Sequence, residues 1–311
     1  MQSEQTYDSR RTHTPERKAP SFSVLPYLAI LGAVLLWGGS FSAMKIAVGA
    51  LNPWSVMGIR MLMACMVAAC LAPKLGPLPR KPADWRFIAP MIALQPCLYF
   101  VLESHALQYT TSSQAGIIAA FVPLMVAVGA AVFLGERLRA NTLAGLALSI
   151  IGVGWLSLSG DSSEQASNPF LGNMLELSAM ACAAGYMVLL KRLTSTHKPL
   201  TLTALQMAGG LVFFSPGLWM LWKQGLAGLD WTVWLALIYL GAVVTLGAFG
   251  LYNYGISRME AGKASIGVNL VPVAAAALGW IILGETLNAT QIMASTLVLG
   301  GVWWSQRPGR R

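Results

Sequence analysis

The sequence predicts an all-α integral membrane protein of ten transmembrane helices, arranged as two inverted five-helix repeats with both termini in the cytoplasm. Three observations carry that expectation. First, 56% of the 311 residues are hydrophobic and only 11% are charged. A soluble domain carries about 25% charged residues, so this chain needs lipid as its solvent. Second, one apolar stretch is written twice. Phe121 to Leu138 and Leu270 to Leu287 each continue with Val-Pro and end on Leu-Gly-Glu-x-Leu. Pro123 pairs with Pro272 and Glu136 with Glu285 at a single offset of 149. Third, the basic residues gather on one side of the implied membrane.

Taken in order, residues 1–23 are polar, charged and proline-containing, and read as a disordered cytoplasmic tail. Residues 25–159 form the first five-helix repeat and 170–305 the second, followed by a basic cytoplasmic end, 306–311. Ten apolar segments are long enough to span a bilayer: 25–47, 54–72, 87–107, 113–134, 141–159, 170–190, 200–222, 232–255, 264–284 and 289–305. Their connections are short, so sequential helices are expected to be neighbours.

Orientation follows from the Lys and Arg residues. With the amino terminus inside, 18 of 21 lie in the tail, the cytoplasmic loops or the carboxyl end. The exceptions are Lys45, Arg60 and Lys223. The loop from Gly160 to Pro169 has two acids and no base, as an external loop should. The net charge of +9 is therefore a topology signal, and nucleic acid is not an expected partner. Five helices per half force the second half to enter the membrane upside down. Residues 106–156 align with 255–305 at offset 149, and earlier positions align at 146. Inverted repeats with a substrate site near the midplane are a transporter architecture.

Ionisable residues inside a membrane are costly and default to functional candidates. Lys45, Arg60, Glu103 and Glu176 qualify, all in the outer half of the membrane, and are expected to form one network of two bases and two acids. Glu103 or Glu176 is the candidate proton-coupling group, a carboxyl whose proton affinity is set by burial and by a nearby arginine. Gln95, Tyr99 and Glu103 are spaced by four, a polar stripe on helix 3. Trp37, Ser40, Phe41 and Met44 make an aromatic and polar face on helix 1. Tyr252, Asn253, Ser265 and Asn269 are further candidates on helices 8 and 9, and Tyr186 on helix 6. Pro123 and Pro272 are expected to kink helices 4 and 9, matched interruptions that suit hinges at a transport site. Glu136 and Glu285 read as boundary markers in aqueous loops, after a helix-ending glycine.

Gly145, Gly152, Ala294, Gly300 and Gly301 suit close helix packing, within the chain or in a homodimer. Cys65, Cys70, Cys97 and Cys182 lie in apolar runs and read as packing residues. No metal site and no cofactor is expected.

These residues resemble a known family. Trp37-Gly-Gly-Ser-Phe41, Ala106-Leu-Gln-Tyr-Thr110, the two Leu-Gly-Glu-x-Leu ends, Gly152-Val153 and Arg60 in helix 2 are similar to motifs of the EamA-type drug/metabolite transporter superfamily. The second half carries weaker copies: Gly255 to Met259 replaces the second motif, and Ala183 stands where Trp37 would repeat. The resemblance implies a ten-helix carrier of the cell membrane that moves small metabolites, often outward, by alternating access. Small organic metabolites such as amino acids, or drugs, are the expected substrates. No nucleotide-binding motif is present, so transport is expected to run on gradients. An intramembrane enzyme is not expected, since His105 is the one histidine in a helix and no catalytic constellation surrounds it. The alternative is a non-transporting receptor or assembly subunit.

Overall fold

Proline and asparagine set where helices begin. Proline occupies the first turn of Pro53–Cys70, Pro82–Ile92, Pro169–Leu193 and Pro199–Gln224, where its missing N–H removes no helical bond. Asn52, Asn168 and Asn288 accept from backbone N–H groups of the helices they precede. Asn288, in the sequence pattern Asn-Ala-Thr, is thus a helix cap, in a reciprocal capping box with Gln291 at 2.8 and 3.0 Å.

The computed structural model describes residues 24–134, 138, 140–159, 163–225, 228–248, 251, 252, 254 and 269–307. Among them it is helical with no β-strand, apart from an isolated bridge between Ser163 and Ala166. In chain order we label α1 (Leu25–Ala50), α2 (Pro53–Cys70), α3 (Pro82–Ile92, a π-helical turn Ala93–Leu98, then Tyr99–Tyr109) and α4 (Ser112–Ala119 and Val122–Leu134). There follow α5 (Ala140–Leu158), α6 (Pro169–Leu193) and α7 (Pro199–Gln224). Next come α8 (Trp231–Ile238, continuing as π-helical Tyr239–Ala248), α9 (Val271–Leu283) and α10 (Ala289–Ser305). Among the described residues seven helices are long and apolar enough to cross a membrane. Leu31, Ile150, Val212, Trp222 and Ile281 remain exposed on helix surfaces, the surface that lipid covers.

One expected helix is interrupted, and a second shows a turn at the matching place. The segment expected as one helix over 113–134 breaks at Ala120 and Phe121, whose N–H groups reach the carbonyls of Ile117 and Ile118 three residues back. The described part of the 264–284 segment has its turn at Asn269 and Leu270, the same place at the offset of 149. Pro123 and Pro272 each fall in the first turn of the helical piece that follows. They sit where proline fits a helix, in its first turn and not its interior; Pro123 does not kink a continuous helix as expected, and the residues before Asn269 lie outside the described ones. The third helix of each half is irregular too, through the π-helical pieces of α3 and α8.

Packing between the halves is reciprocal. α2 packs on α7, α4 on α9 and α5 on α10, each a pair of helices at the same place in the two halves. α1 packs on α8 and α9, and α6 packs on α3 and α4, so the first helix of each half meets the third and fourth of the other. Small residues allow these approaches. A Cβ on Gly38 would stand 2.6 Å from that of Ala274, and one on Gly39 would stand 2.7 Å from the Tyr239 hydroxyl. The Trp-Gly-Gly-Ser signature is thus the place where α1 admits α9 and α8. Gly145, Gly152 and Gly301 lie in the α5–α10 contact, Ala294 is buried there, and the Ser149 hydroxyl donates to the Val298 carbonyl at 3.1 Å. These four positions are used within the chain, whereas a Cβ on Gly300 would meet nothing within 4 Å.

Candidate functional site

Two polar layers lie between the halves. The first forms around the break in α3. Gln95 has extended backbone, φ −144° and ψ 119°, with helix on both sides. Its carbonyl, freed from the helix, accepts from Gln206 Nε2 of α7 at 2.8 Å. The break interrupts the helical spacing of four expected to join Gln95 to Tyr99 and Glu103. Tyr99 and Glu103 keep that spacing, and the Tyr99 hydroxyl donates to Glu103 Oε1 at 2.6 Å.

Neighbouring helices complete the layer. Arg60 of α2 places its guanidinium over the Phe100 ring, 4.3 Å from the centroid, and its charge acts on Glu103 and Tyr99. Glu176 of α6 is fully buried, and its charge acts on Glu103 and Tyr99. Neither Glu176 oxygen has a hydrogen-bond partner among the described residues; Gln95 Oε1 and Arg60 Nε are in the same position. α6 lies close to α3 because Gly172 fits against Thr110 and the Ala106 carbonyl, where a Cβ would be 2.6 Å and 2.9 Å away. One base, two acids and a phenol from three helices therefore lie within electrostatic reach around Glu103 inside the protein.

Lys45 is not among them. It belongs to the second layer, at the turn between α3 and α4. Its Nζ donates to the carbonyls of Leu107 at 2.9 Å, Thr110, and Gln165 at 2.6 Å. These close off the carboxyl end of α3, where a cation suits the helix dipole. Two residues on, α4 begins, and Glu285 closes its amino end. Glu285 Oε1 accepts from Ser112 N at 2.7 Å; Oε2 accepts from Ser113 N, Ser113 Oγ and Ser112 Oγ at 2.8, 2.6 and 2.9 Å. Glu285 is 2% exposed. The expectation of a boundary marker in an aqueous loop is thus corrected: four donors and the helix amino terminus compensate its burial. Lys45 and Glu285 also interact electrostatically. Beside them Thr110 Oγ1 donates to Asn173 Oδ1 at 2.7 Å and Asn173 Nδ2 donates to Gln114 Oε1 at 2.8 Å, all three residues buried.

The remaining candidates fall elsewhere. Trp37 and Tyr252 pair their rings, centroids 5.3 Å apart. The Ser40 hydroxyl turns back to the Trp37 carbonyl at 2.7 Å, the bond within a helix that serine commonly makes. Asn269 exchanges amide hydrogen bonds with Gln306, the residue that ends α10, at 2.8 and 3.3 Å. It is therefore tied to α10 and takes no part in the Arg60–Glu103–Glu176 layer. Asn253, Ser265 and Glu136 lie outside the described residues.

Sequence reasoning missed the Ser112–Ser113 amino end and the Thr110–Gln114–Asn173 group. Thr111, whose hydroxyl caps α4 through Gln114 N, stood as a signal of a helix start. Nothing local to Glu285 names partners 172 and 173 residues away.

Comparison with known proteins bears on the whole chain. The EamA-like transporter family matches residues 24–158 and 170–306. An uncharacterized transporter of Bacillus subtilis, YcxC, is 30% identical over 289 residues, covering 89% of this chain and 91% of that protein. A protein of Salmonella typhimurium named a probable amino-acid metabolite efflux pump is 27% identical, covering 89% and 93%. A solved crystal structure shares the fold with a TM-score of 0.59 at 21% identity, over 90% of this chain and 96% of that one. Helices long and apolar enough to cross a membrane, polar layers sealed between two halves, and a match to each half agree: the chain is a multi-pass protein of the cell membrane and belongs to the EamA-like transporter family.

Proposed function

We propose that this protein is a secondary transporter that exports small organic metabolites by alternating access, with proton uptake at a buried acid pair coupled to substrate movement. In this reading it has ten transmembrane helices in two inverted repeats, 25–159 and 170–305, with both termini in the cytoplasm. The observation that carries the proposal is the layer of Arg60, Tyr99, Glu103 and Glu176 beside the break in α3. An ionised carboxylate without a partner is costly at that depth, so Glu176 takes up a proton or the cationic group of a substrate. Glu103 already receives the Tyr99 hydroxyl, which moves the coupling role from Glu103 toward Glu176. The Trp37–Tyr252 ring pair offers an apolar wall for an organic side group. The reciprocal packing of the halves and the π-helical irregularity in the third helix of each support alternating access, since irregular helices in corresponding positions mark transport sites. A relative named as an amino-acid metabolite efflux pump makes amino acids the first compounds to try.

The test is a thermal-shift screen of the purified protein against amino acids and related metabolites, followed by counterflow of any stabilising compound in proteoliposomes. A ligand that binds the folded state raises its apparent stability. A stabilising compound that also exchanges across the membrane is expected. Stabilisation without exchange would instead support a receptor.

A further inference from the structure

The second polar layer has a use beyond holding two helices together. We propose that Glu285 is the outer latch of the transport cycle. Seated on Ser112 and Ser113, its carboxylate closes the path above the Arg60–Glu103–Glu176 layer, and it must leave that seat for the path to open outward.

The contact joins the two halves. Glu285 follows α9 in the second half, and the seat is the start of α4 in the first. It is wholly charge-assisted, with two backbone N–H groups and two hydroxyls donating to one carboxylate. Lys45 grips the other side of the same turn, from α1 to the end of α3 and to Gln165 in the loop between the halves. Gln165 Nε2 in turn donates to the Leu283 carbonyl at the end of α9, at 3.0 Å. These groups thus tie α1, α3, α4, α9 and the linking loop together at one level. The end of α9 has its own swivel: Gly284, with φ +66°, lies in the left-handed region that favours glycine, immediately before Glu285. The two motifs Ala106-Leu-Gln-Tyr-Thr110 and Leu283-Gly-Glu-Thr-Leu287 are then the two faces of one closure.

Gly279 gives a second handle. A Cβ there would lie 2.5 Å from Ser113 Oγ, 2.6 Å from Glu285 Oε2 and 2.9 Å from Ser112 Oγ, so alanine wedges the carboxylate and the serine hydroxyls apart while leaving Glu285 in place.

The test is cysteine accessibility. In a background with all four native cysteines replaced by serine, Ala115→Cys places a thiol on α4 one turn below Ser112, at a position with no exposed surface. Intact cells are treated with a membrane-impermeant maleimide. Labelling is expected to be slow with Glu285 present, and about tenfold faster or more in both Glu285→Gln and Gly279→Ala, the scale of losing one charge-assisted hydrogen bond. Unchanged labelling in Gly279→Ala, with the protein still eluting as a folded species, overturns the latch even where Glu285→Gln fails to fold. Orientation is tested separately by Glu164→Cys, in the exposed linking loop. Labelling from outside is expected, and labelling only from the cytoplasmic side overturns the outer assignment and leaves the transport reading to its own assay. The accessibility readout needs no substrate, so it fails or succeeds independently of the proposed coupling.

Discussion

Single residues separate what burial alone reveals from what folding decides. Arg60, Glu103 and Glu176 were legible because an ionisable side chain in an apolar run must find partners or function. One network of Lys45 with these three was expected, and the structure puts Lys45 elsewhere. Lys45 has a long stem and three donors, and three carbonyls at the α3–α4 turn satisfy it. Glu285 was misread because glycine followed by a charge looks the same whether the charge meets water or a helix amino terminus. Two predictions belong at this scale. Tyr99→Phe removes the hydroxyl that donates to Glu103, with an expected loss of stability of about 1 kcal/mol, read as a lower midpoint in thermal unfolding of the detergent-solubilised protein. Glu176→Gln removes an acid that can exchange a proton. Exchange of substrate is expected to survive while acceleration by a pH gradient is lost, measured by comparing counterflow with gradient-driven flux in vesicles.

Helices were easier to find than their interruptions. Among the described residues apolar length placed several of them to within a few residues: 54–72 was expected and Pro53–Cys70 is found, 170–190 was expected and Pro169–Leu193 is found. The break at Ala120–Phe121 was hidden because a proline signals trouble without saying whether the chain bends or restarts. The break at Gln95 was hidden further, since the i, i+4 pattern of Gln95, Tyr99 and Glu103 argued for continuity. Close packing supplies the prediction at this scale. A Cβ on Gly116 would collide with the Ala275 Cβ where α4 meets α9. Gly116→Val is therefore expected to cost about 1–3 kcal/mol, the usual range for overpacking, seen as a reduced yield of monodisperse protein and a lower unfolding midpoint. Gly154, with nothing within 4 Å of a Cβ, should accept valine without that loss.

For the whole molecule, duplication in the sequence reappears as reciprocity in the packing. Helices at the same place in the two halves lie against each other, and the two first helices make matching contacts. The proposed alternating access rests on this geometry: exchange of the halves would give a second arrangement of similar packing, with the acid pair between them. The measurement that tests the account most directly is substrate-driven proton movement in proteoliposomes carrying a pH-sensitive dye. Wild-type protein and the double variant Glu103→Gln, Glu176→Gln are compared with a metabolite that stabilises the wild type. The account predicts that the metabolite collapses the imposed pH gradient through the wild type and leaves it standing with the double variant. An equal collapse through both proteins would contradict it.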